Sequence, residues 1–219
     1  MMRIMGALLI VGMACSLASC KTIFGGVDSV TMETPATNAP VPDQPVIPMP
    51  SFSVGDSWEY SDGYGMSVVE AKEGGRARFE RTDVSDTWFV QRAFFREESV
   101  SNGIHRFVVY RTADPISLLE KPIGATVSYL REYMRNDELV RHRTSWEIEG
   151  RQTVTVPAGT FDVWVLVMRT EGVDSNWRGY ERWFYSPQVN SYVRMEYKYG
   201  EAPDGSRVLM KYSMGSASS

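Results

Sequence analysis

The side chains that could carry acid–base or metal chemistry are few and scattered along the chain. His105 and His142 are the two histidines. Neither has a second candidate ligand two or four residues further along the chain, the spacing that would place both on one metal ion. Arginine flanks His142 on both sides, which disfavours a bound cation and also a protonated imidazole. We therefore predict two surface histidines and no metal site.

Four carboxylates could in principle form a general acid–base pair: Asp56, Asp62, Glu147 and Glu149. Glu147 and Glu149 alternate with apolar residues, which is typical of the solvent-facing side of a strand. The chain has no Gly-x-Ser-x-Gly nucleophile elbow and no phosphate-binding P-loop. We predict no catalytic residue, no cofactor and no enzymatic activity, and a hydrolase is the weakest functional alternative.

Arginines at near-alternate strand positions raise a different possibility, the binding of an anion. They are Arg76, Arg78, Arg81, Arg141 and Arg143. Together on one exposed face, they could hold an anionic glycan or a phosphate. The alternative is cross-strand pairing with Glu70, Glu80 and Glu132. The formal net charge of −4 favours pairing.

Composition excludes several classes of protein. Acidic residues outnumber basic ones by 27 to 23, so a basic surface for nucleic acid is not expected. A charged fraction of 23% beside an apolar fraction of 43% indicates a folded chain. The two cysteines, Cys15 and Cys20, lie at the very start. The rest of the chain therefore has no disulfide framework, iron–sulfur cluster or cysteine zinc site.

The first 19 residues have the anatomy of a signal peptide. Arg3 supplies a positive charge, and an uncharged apolar run follows from Ile4 to Leu17. The run is shorter than the ~20 residues that span a bilayer, but its length suits the apolar region of a signal peptide. It ends at Leu17-Ala18-Ser19-Cys20.

That ending resembles the lipobox of bacterial lipoproteins. The resemblance implies that signal peptidase recognises Leu17, Ala18 and Ser19 and cleaves before Cys20. It also implies a thioether-linked diacylglyceryl group on Cys20 and an acylated amino terminus, with palmitate-type chains that together anchor the protein stably. Lys21, where aspartate would retain a lipoprotein in the inner membrane, implies the outer membrane, facing the periplasm. The alternative is an ordinary secretory signal.

Residues 20–50 are predicted to form a tether after the lipidated cysteine. Six of the eleven prolines lie here, and they exclude a helix or a central strand. In an extended polyproline conformation of ~3.1 Å per residue, this segment could hold the body tens of ångströms from the membrane. A proline-rich ligand for a partner domain is the alternative.

Residues 51–213 are predicted to form an all-β domain, followed by a flexible tail at 214–219. All six tryptophans lie in this body, and aromatic residues favour strands. Residues 192–199 and 207–212 alternate in polarity around the turn Ala202-Pro203-Asp204-Gly205, which predicts a terminal hairpin. Repeated turn signals predict an antiparallel meander that forms a curved sheet, half-barrel or sandwich.

Further turns and strands follow from local sequence. Glu73-Gly74-Gly75 separates two short strands, and Asn102-Gly103 separates runs at 87–97 and 104–111 as a hairpin turn. Residues 161–168 are apolar on both faces, so they should form a central strand that is covered on both sides. Residues 129–134 fit a strand or a helical stripe, and closely spaced turn residues favour the strand.

Three motifs in this body resemble those of uncharacterised bacterial envelope and lipoprotein domains, which are built as curved β-sheets. They are Val54–Tyr60 (VGDSWEY), Val154–Phe161 (VTVPAGTF) and Glu181–Pro187 (ERWFYSP). The related domains carry a VPAGTF turn and a later WYSP turn, and this chain has one extra aromatic residue in the second. The resemblance supports the fold and implies no activity.

Two functions are consistent with these features. The first is a non-enzymatic, lipid-anchored envelope lipoprotein with a structural or interaction role, whose partner would be an envelope protein or peptidoglycan. The second is a carrier that binds a lipid or another hydrophobic ligand in a cavity of the sheet. A body of this size needs large side chains to fill its core, so we expect a filled core rather than a cavity.

Overall fold

The computed structural model describes residues 45–215. The predicted signal peptide, Cys20 and the rest of the lipobox, tether residues 20–44 and residues 216–219 lie outside this range. Within it, no helix combines the length and the apolar character needed to cross a membrane.

Thirteen strands, each antiparallel to its neighbours, make up one sheet. They are β1 Ser57–Tyr60, β2 Gly65–Lys72, β3 Arg76–Arg81, β4 Trp88–Arg92, β5 Phe95–Ser101, β6 Ile104–Phe107, β7 Val109–Arg111, β8 Thr126–Arg135, β9 Glu138–Val156, β10 Gly159–Gly172, β11 Arg178–Ser186, β12 Ser191–Tyr199 and β13 Gly205–Ser213. A 3₁₀ helix, Pro115–Glu120, lies between β7 and β8.

The strand order closes the sheet almost completely. It runs β6-β5-β4-β3-β2-β1-β13-β12-β11-β10-β9-β8-β7. The first and last described strands pair, with Trp58 opposite Tyr212. Because β6 and β7 are consecutive in the chain but lie at opposite ends of the order, the sheet curves until its ends approach each other. The all-β prediction is confirmed, and the form is a curved sheet nearly closed into a barrel.

The turns that carry glycine, asparagine or proline lie where the sequence predicts them. Asn102 and Gly103, with φ of 52° and 71°, connect β5 to β6. Left-handed backbone at both central positions matches the twist of the two strands. Residues 73–75 connect β2 to β3, and residues 200–204 connect β12 to β13. These predictions are confirmed.

Two predicted runs are each broken into two strands, so the prediction of single strands there was wrong. The run at 87–97 turns at Ala93, which has a φ of 53°. There the Ala93 amide donates to the carbonyl of Gly75 at 2.7 Å. The run at 104–111 breaks at Val108, whose amide donates to the backbone carbonyl of Glu97 at 2.8 Å. In both places a contact distant in sequence sets the bend.

Strand β10 is an interior strand between β9 and β11, and its residues 163–168 are buried on both faces, as predicted. Val163 and Val165 belong to one buried apolar cluster with Trp58, and Leu166 belongs to a second cluster with Ile148. Since alternate residues of a strand face opposite sides, β10 supports both clusters at once. The strand prediction for residues 129–134 is confirmed by β8.

The start and the end of the described chain are fastened to the body. Ile47 is buried in the second cluster, and the Ser51 carbonyl accepts a hydrogen bond from Asn190 Nδ2 at 2.6 Å. The buried Asp56 carboxylate accepts the amides of Ser53 at 2.8 Å and Gly215 at 2.7 Å. Packing therefore begins at or before Ile47.

Candidate functional site

A cavity of about 300 Å³ lies inside the curved sheet. Side chains from β2, β4 and β5 line one part of it, and side chains from β7 to β13 line the rest. Its volume lies at the low end of the ~300–1,000 Å³ typical of small-molecule pockets. The two apolar clusters of buried side chains lie beside this partly open cavity, so large side chains fill the rest of the core, as expected.

Strand register explains which side chains reach the cavity. Trp146 lies opposite Met168, which in turn lies opposite Glu181 on the next strand. Because residues opposite each other in adjacent strands project from the same face, these three form one row across β9, β10 and β11. Arg131, opposite His142, belongs to the same face of the sheet.

Aromatic rings form much of the cavity wall. Trp146 lies between Phe95 and Trp183 in edge-to-face contact, with ring centroids 5.7 Å and 5.4 Å away. Tyr192 continues the series, 4.9 Å from Trp183 and stacked on Tyr60 at 4.7 Å. Such edge-to-face and offset contacts are the favoured aromatic geometries, so they give the wall a defined shape.

Glu181 is a carboxylate on this aromatic wall, and it is held in place by two donors. Trp183 Nε1 donates to Glu181 Oε2 at 2.7 Å, and the Tyr199 hydroxyl donates a short hydrogen bond to Oε1. Burial raises the pKa of Tyr199, and the charge of Glu181 raises that pKa further. Tyr199 therefore stays protonated and keeps donating to the carboxylate.

His142 is buried, so the prediction of a surface residue was wrong for this histidine. Arg131 Nη2 lies 3.0 Å from His142 Nδ1, and the imidazole stacks on Trp177 with centroids 4.8 Å apart. Burial lowers the pKa of His142 to about 4, and the charges of Arg131 and Arg135 act in the same direction. The neutral imidazole can therefore accept a hydrogen bond from Arg131.

His105 is exposed, as predicted, and lies beside Glu98 at 2.6 Å. It is on β6, whereas His142 is on β9. Between residues 45 and 215, no group of three histidine, cysteine, aspartate or glutamate side chains could hold a metal ion.

Two further arginines line the cavity and lie over aromatic rings. The guanidinium of Arg207 lies 4.3 Å from the ring of Tyr64 and 3.0 Å from Asp62 Oδ2. Arg96, on β5, lies 3.9 Å from the ring of Phe89. Cations over aromatic faces are stabilised by the ring quadrupole, so both arginines have defined positions at the wall.

The four carboxylates considered for acid–base chemistry each have a different partner. Asp56 accepts backbone amides, and Asp62 pairs with Arg207. Glu147 lies 3.0 Å from Arg169, and Glu149 lies 2.8 Å from Arg182. The two glutamates alternate with the buried residues Trp146 and Ile148, so the prediction of a solvent-facing side is confirmed.

All five arginines of the predicted stripe lie near a carboxylate. The pairs are Arg76–Glu97 at 2.6 Å, Arg78–Glu80 at 3.4 Å, Arg81–Asp83 at 2.5 Å, Arg141–Asp174 at 2.9 Å and Arg143–Glu171 at 4.0 Å. The prediction of pairing is confirmed, but the predicted partners Glu70 and Glu132 lie beside Lys72 and Arg111. Arg78 and Arg81 pair with carboxylates two residues along the chain, whereas Arg143 pairs with Glu171, which lies opposite it on β10.

A second concave region is an open groove of about 1420 Å³ along β8 to β12. Five cationic residues line it: Arg141, Arg143, Arg169 and Lys198 each lie near a carboxylate, and Arg178 has no carboxylate within 4.0 Å among residues 45–215. Surface ion pairs of this kind contribute little stability, but they leave less free positive charge for an anion. The cavity inside the curved sheet combines aromatic walls with a few charged groups, so it is the better candidate site.

The residues that define the cavity were not among the predicted site residues. Arg131, Tyr199 and Arg207 belong to no motif, and Glu181 begins the ERWFYSP motif, which indicated a turn and not a site. The available signal was their alternation with residues of the opposite face, which identifies a face of a strand but not whether that face is enclosed.

Comparison with protein families found no matching family model, and no curated protein matched. Three solved bacterial structures are similar in fold. The hypothetical lipoprotein YmcC from Escherichia coli K12 has 10% sequence identity and a TM-score of 0.49, covering 73% of this chain and 85% of that chain.

An exported protein with a YmcC-like fold from Bacteroides fragilis has 14% identity and a TM-score of 0.43, covering 77% of this chain and 100% of that chain. A lipoprotein from Parabacteroides distasonis has 16% identity and a TM-score of 0.40, covering 77% and 99%. At these low identities and scores, the similarities carry no conclusion about ligand, partner or activity.

Proposed function

We propose that this chain is a non-enzymatic, lipid-anchored protein of the bacterial envelope that binds a small ligand inside its curved sheet. The cavity of about 300 Å³ is the observation that carries the proposal. Binding sites for small molecules are typically concave, with aromatic walls and a few placed polar groups. This cavity combines such walls, from Trp146 and Trp183, with Arg131, Glu181 and Arg207.

The size of the cavity restricts the ligand. An engineered cavity of ~150 Å³ holds a molecule the size of benzene. A cavity of about 300 Å³ is therefore suited to a ring-sized body with a polar substituent. The charged groups at the wall disfavour a long acyl chain, since an apolar chain would leave them without polar partners. The proposed ligand is thus smaller and more polar than the lipid considered from the sequence.

Binding is favoured over catalysis because the reactive groups already have structural partners. The Glu181 carboxylate accepts hydrogen bonds from Trp183 and Tyr199, and the His142 imidazole is engaged by Arg131. A general base needs a free lone pair within reach of its substrate. The fixed hydrogen bonds instead suit a preformed receptor, whose groups need little reorganisation when the ligand enters.

The lipid anchor is the second part of the proposal, and it rests on the lipobox at Leu17-Ala18-Ser19-Cys20. Two or three acyl chains would hold the protein to a bilayer, and Lys21 favours the outer membrane. Replacing the cysteine, as in Cys20→Ser, should release the protein from the detergent phase, whereas Cys15→Ser should leave partitioning unchanged. Unchanged partitioning of the Cys20→Ser protein would contradict the anchor. An envelope-protein or peptidoglycan partner stays a prediction.

A substitution that fills the cavity tests whether the ligand binds there. Gln91 lines the cavity, whereas the neighbouring Val90 does not. In the full chain purified in detergent, Gln91→Trp should abolish binding of 4-fluorobenzamide, measured by ligand-observed ¹⁹F NMR. Val90→Trp adds the same ring to the same strand and should retain binding. Binding of neither 4-fluorobenzamide nor its carboxylate analogue 4-fluorobenzoate to the wild-type chain, or equal binding by both variants, would contradict the proposal.

A further inference from the structure

Positively charged side chains outnumber negatively charged ones on the cavity wall. Three guanidinium groups, those of Arg96, Arg131 and Arg207, line the cavity with a single carboxylate, that of Glu181. Asp62 lies 3.0 Å from Arg207 and neutralises much of its charge. Glu181 already accepts two hydrogen bonds and needs no further partner. Counted against Glu181 and Asp62, the three arginines leave one net positive charge, and Arg96 and Arg131 are the two without a carboxylate within 4.0 Å among residues 45–215.

Arg131 differs from most arginines of residues 45–215, which lie beside a carboxylate. No carboxylate within this described range comes within 4.0 Å of Arg131, and its one close polar partner, His142, is neutral. Its Nε is also buried without a hydrogen-bond partner in this part of the chain. A half-buried cation without a counter-charge is costly, and such cases call for a specific explanation.

The surroundings of Arg131 indicate which ligand group would bind its guanidinium. Arg131 lies opposite Tyr110 in the β7–β8 pair and two residues from Tyr129 on β8. The two tyrosine rings meet edge to face at 5.2 Å, and Trp146 Nε1 donates to the Tyr129 hydroxyl at 3.0 Å. The unmatched guanidinium is thus next to the aromatic wall of the cavity. Guanidinium groups bind carboxylates through charge-assisted hydrogen bonds.

We infer that the cavity binds a small aromatic carboxylate, with the carboxylate at Arg131 and the ring against the wall formed by Tyr129 and Trp146. This inference rests on the proposed function and specifies its ligand. Arg96, exposed on β5 and part of the same cavity lining, adds positive potential that favours entry of an anion. A ring bearing one carboxylate fits the volume of about 300 Å³, in which a fatty-acid chain would be crowded.

The test compares 4-fluorobenzoate with 4-fluorobenzamide, which have the same ring and nearly the same shape but differ in charge. Binding to the full chain in detergent is measured by ¹⁹F NMR titration. We expect the benzoate to bind about tenfold more tightly, the scale of one charge-assisted hydrogen bond. Arg131→Gln should remove this preference, and Arg131→Lys should retain part of it. Arg151→Gln is the matched control, because Arg151 is exposed, has no carboxylate partner among the described residues and does not line the cavity.

Each outcome separates the inference from the function on which it rests. Binding of neither compound contradicts the proposed function itself. Equal binding of both compounds, or a preference that survives Arg131→Gln, overturns the inference but leaves a ligand-binding cavity. Equal weakening of both compounds by Arg131→Gln shows a structural role for Arg131 and also overturns the inference. The inference is supported if Arg131→Gln loses the preference for 4-fluorobenzoate and the control Arg151→Gln keeps it.

Discussion

His142 is buried, although it was predicted to lie at the surface, whereas its sequence neighbours Arg141 and Arg143 lie near carboxylates, as predicted. Arg141 and Arg143 lie on the other face of β9, where they approach Asp174 and Glu171. His142 alternates with them and is therefore enclosed, stacked on Trp177 and hydrogen-bonded by Arg131. The flanking arginines, which led to the prediction of a surface histidine, are not its spatial neighbours.

The buried imidazole should make stability depend on pH. The pKa of His142 falls from 6.5 to about 4 on folding, so the unfolded chain binds a proton more readily. The free energy of unfolding should thus decrease as pH falls from about 6.5 to about 4, by up to about 3 kcal/mol from this residue. His142→Gln, which can still accept a hydrogen bond from Arg131, should lose this contribution. Urea unfolding of both proteins at several pH values measures it, and parallel curves would contradict the prediction.

Individual turns were predictable where the residue type itself favours the backbone conformation. Asn102 and Gly103 adopt left-handed backbone at little cost, and their positions were correctly predicted. Ala93 adopts a φ of 53° without any such preference, because its amide is bonded to Gly75 and the adjoining Phe94 is buried. A turn imposed by tertiary contacts has no local signal, so β4 and β5 were read as one strand.

The β5–β6 turn offers a matched pair of glycine substitutions. Gly103 and Gly150 both have open space where a Cβ would lie, but only Gly103 has a left-handed φ, of 71°. Gly103→Ala should therefore lower the free energy of unfolding by about 1–2 kcal/mol. Gly150→Ala should change it by less than about 0.5 kcal/mol or raise it slightly. Chemical denaturation compares the two, and equal effects would show that backbone strain is not the cause.

Strand β10 supports both apolar clusters, so substitutions on either of its faces should be destabilising. Leu166 is fully buried in one cluster, and Val163 is 1% exposed in the other. Leu166→Ala should lower the free energy of unfolding by about 2–5 kcal/mol, and Val163→Ala should lower it by about 1–3 kcal/mol. Met210→Ala, at a side chain that is 41% exposed, is the control and should cost under about 0.5 kcal/mol. If only one of the two substitutions had a small effect on the free energy of unfolding, the face of β10 that carries that residue would not be covered.

For the molecule as a whole, the sequence predicted the strand content and the covering of β10 on both faces but not the cavity. On β8 the inward face carries Val127, Tyr129 and Arg131, so a charge follows two buried residues on the same side. Alternation alone cannot show that such a face is enclosed, because enclosure depends on strands more than 70 residues away, such as β13 with Arg207. Closure of the sheet is a property of the whole chain.

The most direct test of the binding site is to locate a bound ligand. A benzoate that carries a photoreactive diazirine is added to the full chain, irradiated, and mapped by peptide mass spectrometry. Labelling should concentrate on Trp146 and Trp183, which line the cavity and not the open groove, and an excess of 4-fluorobenzoate should suppress it. Labelling at Tyr180 and Lys198, in the open groove, or unsuppressed labelling across the surface would contradict the account.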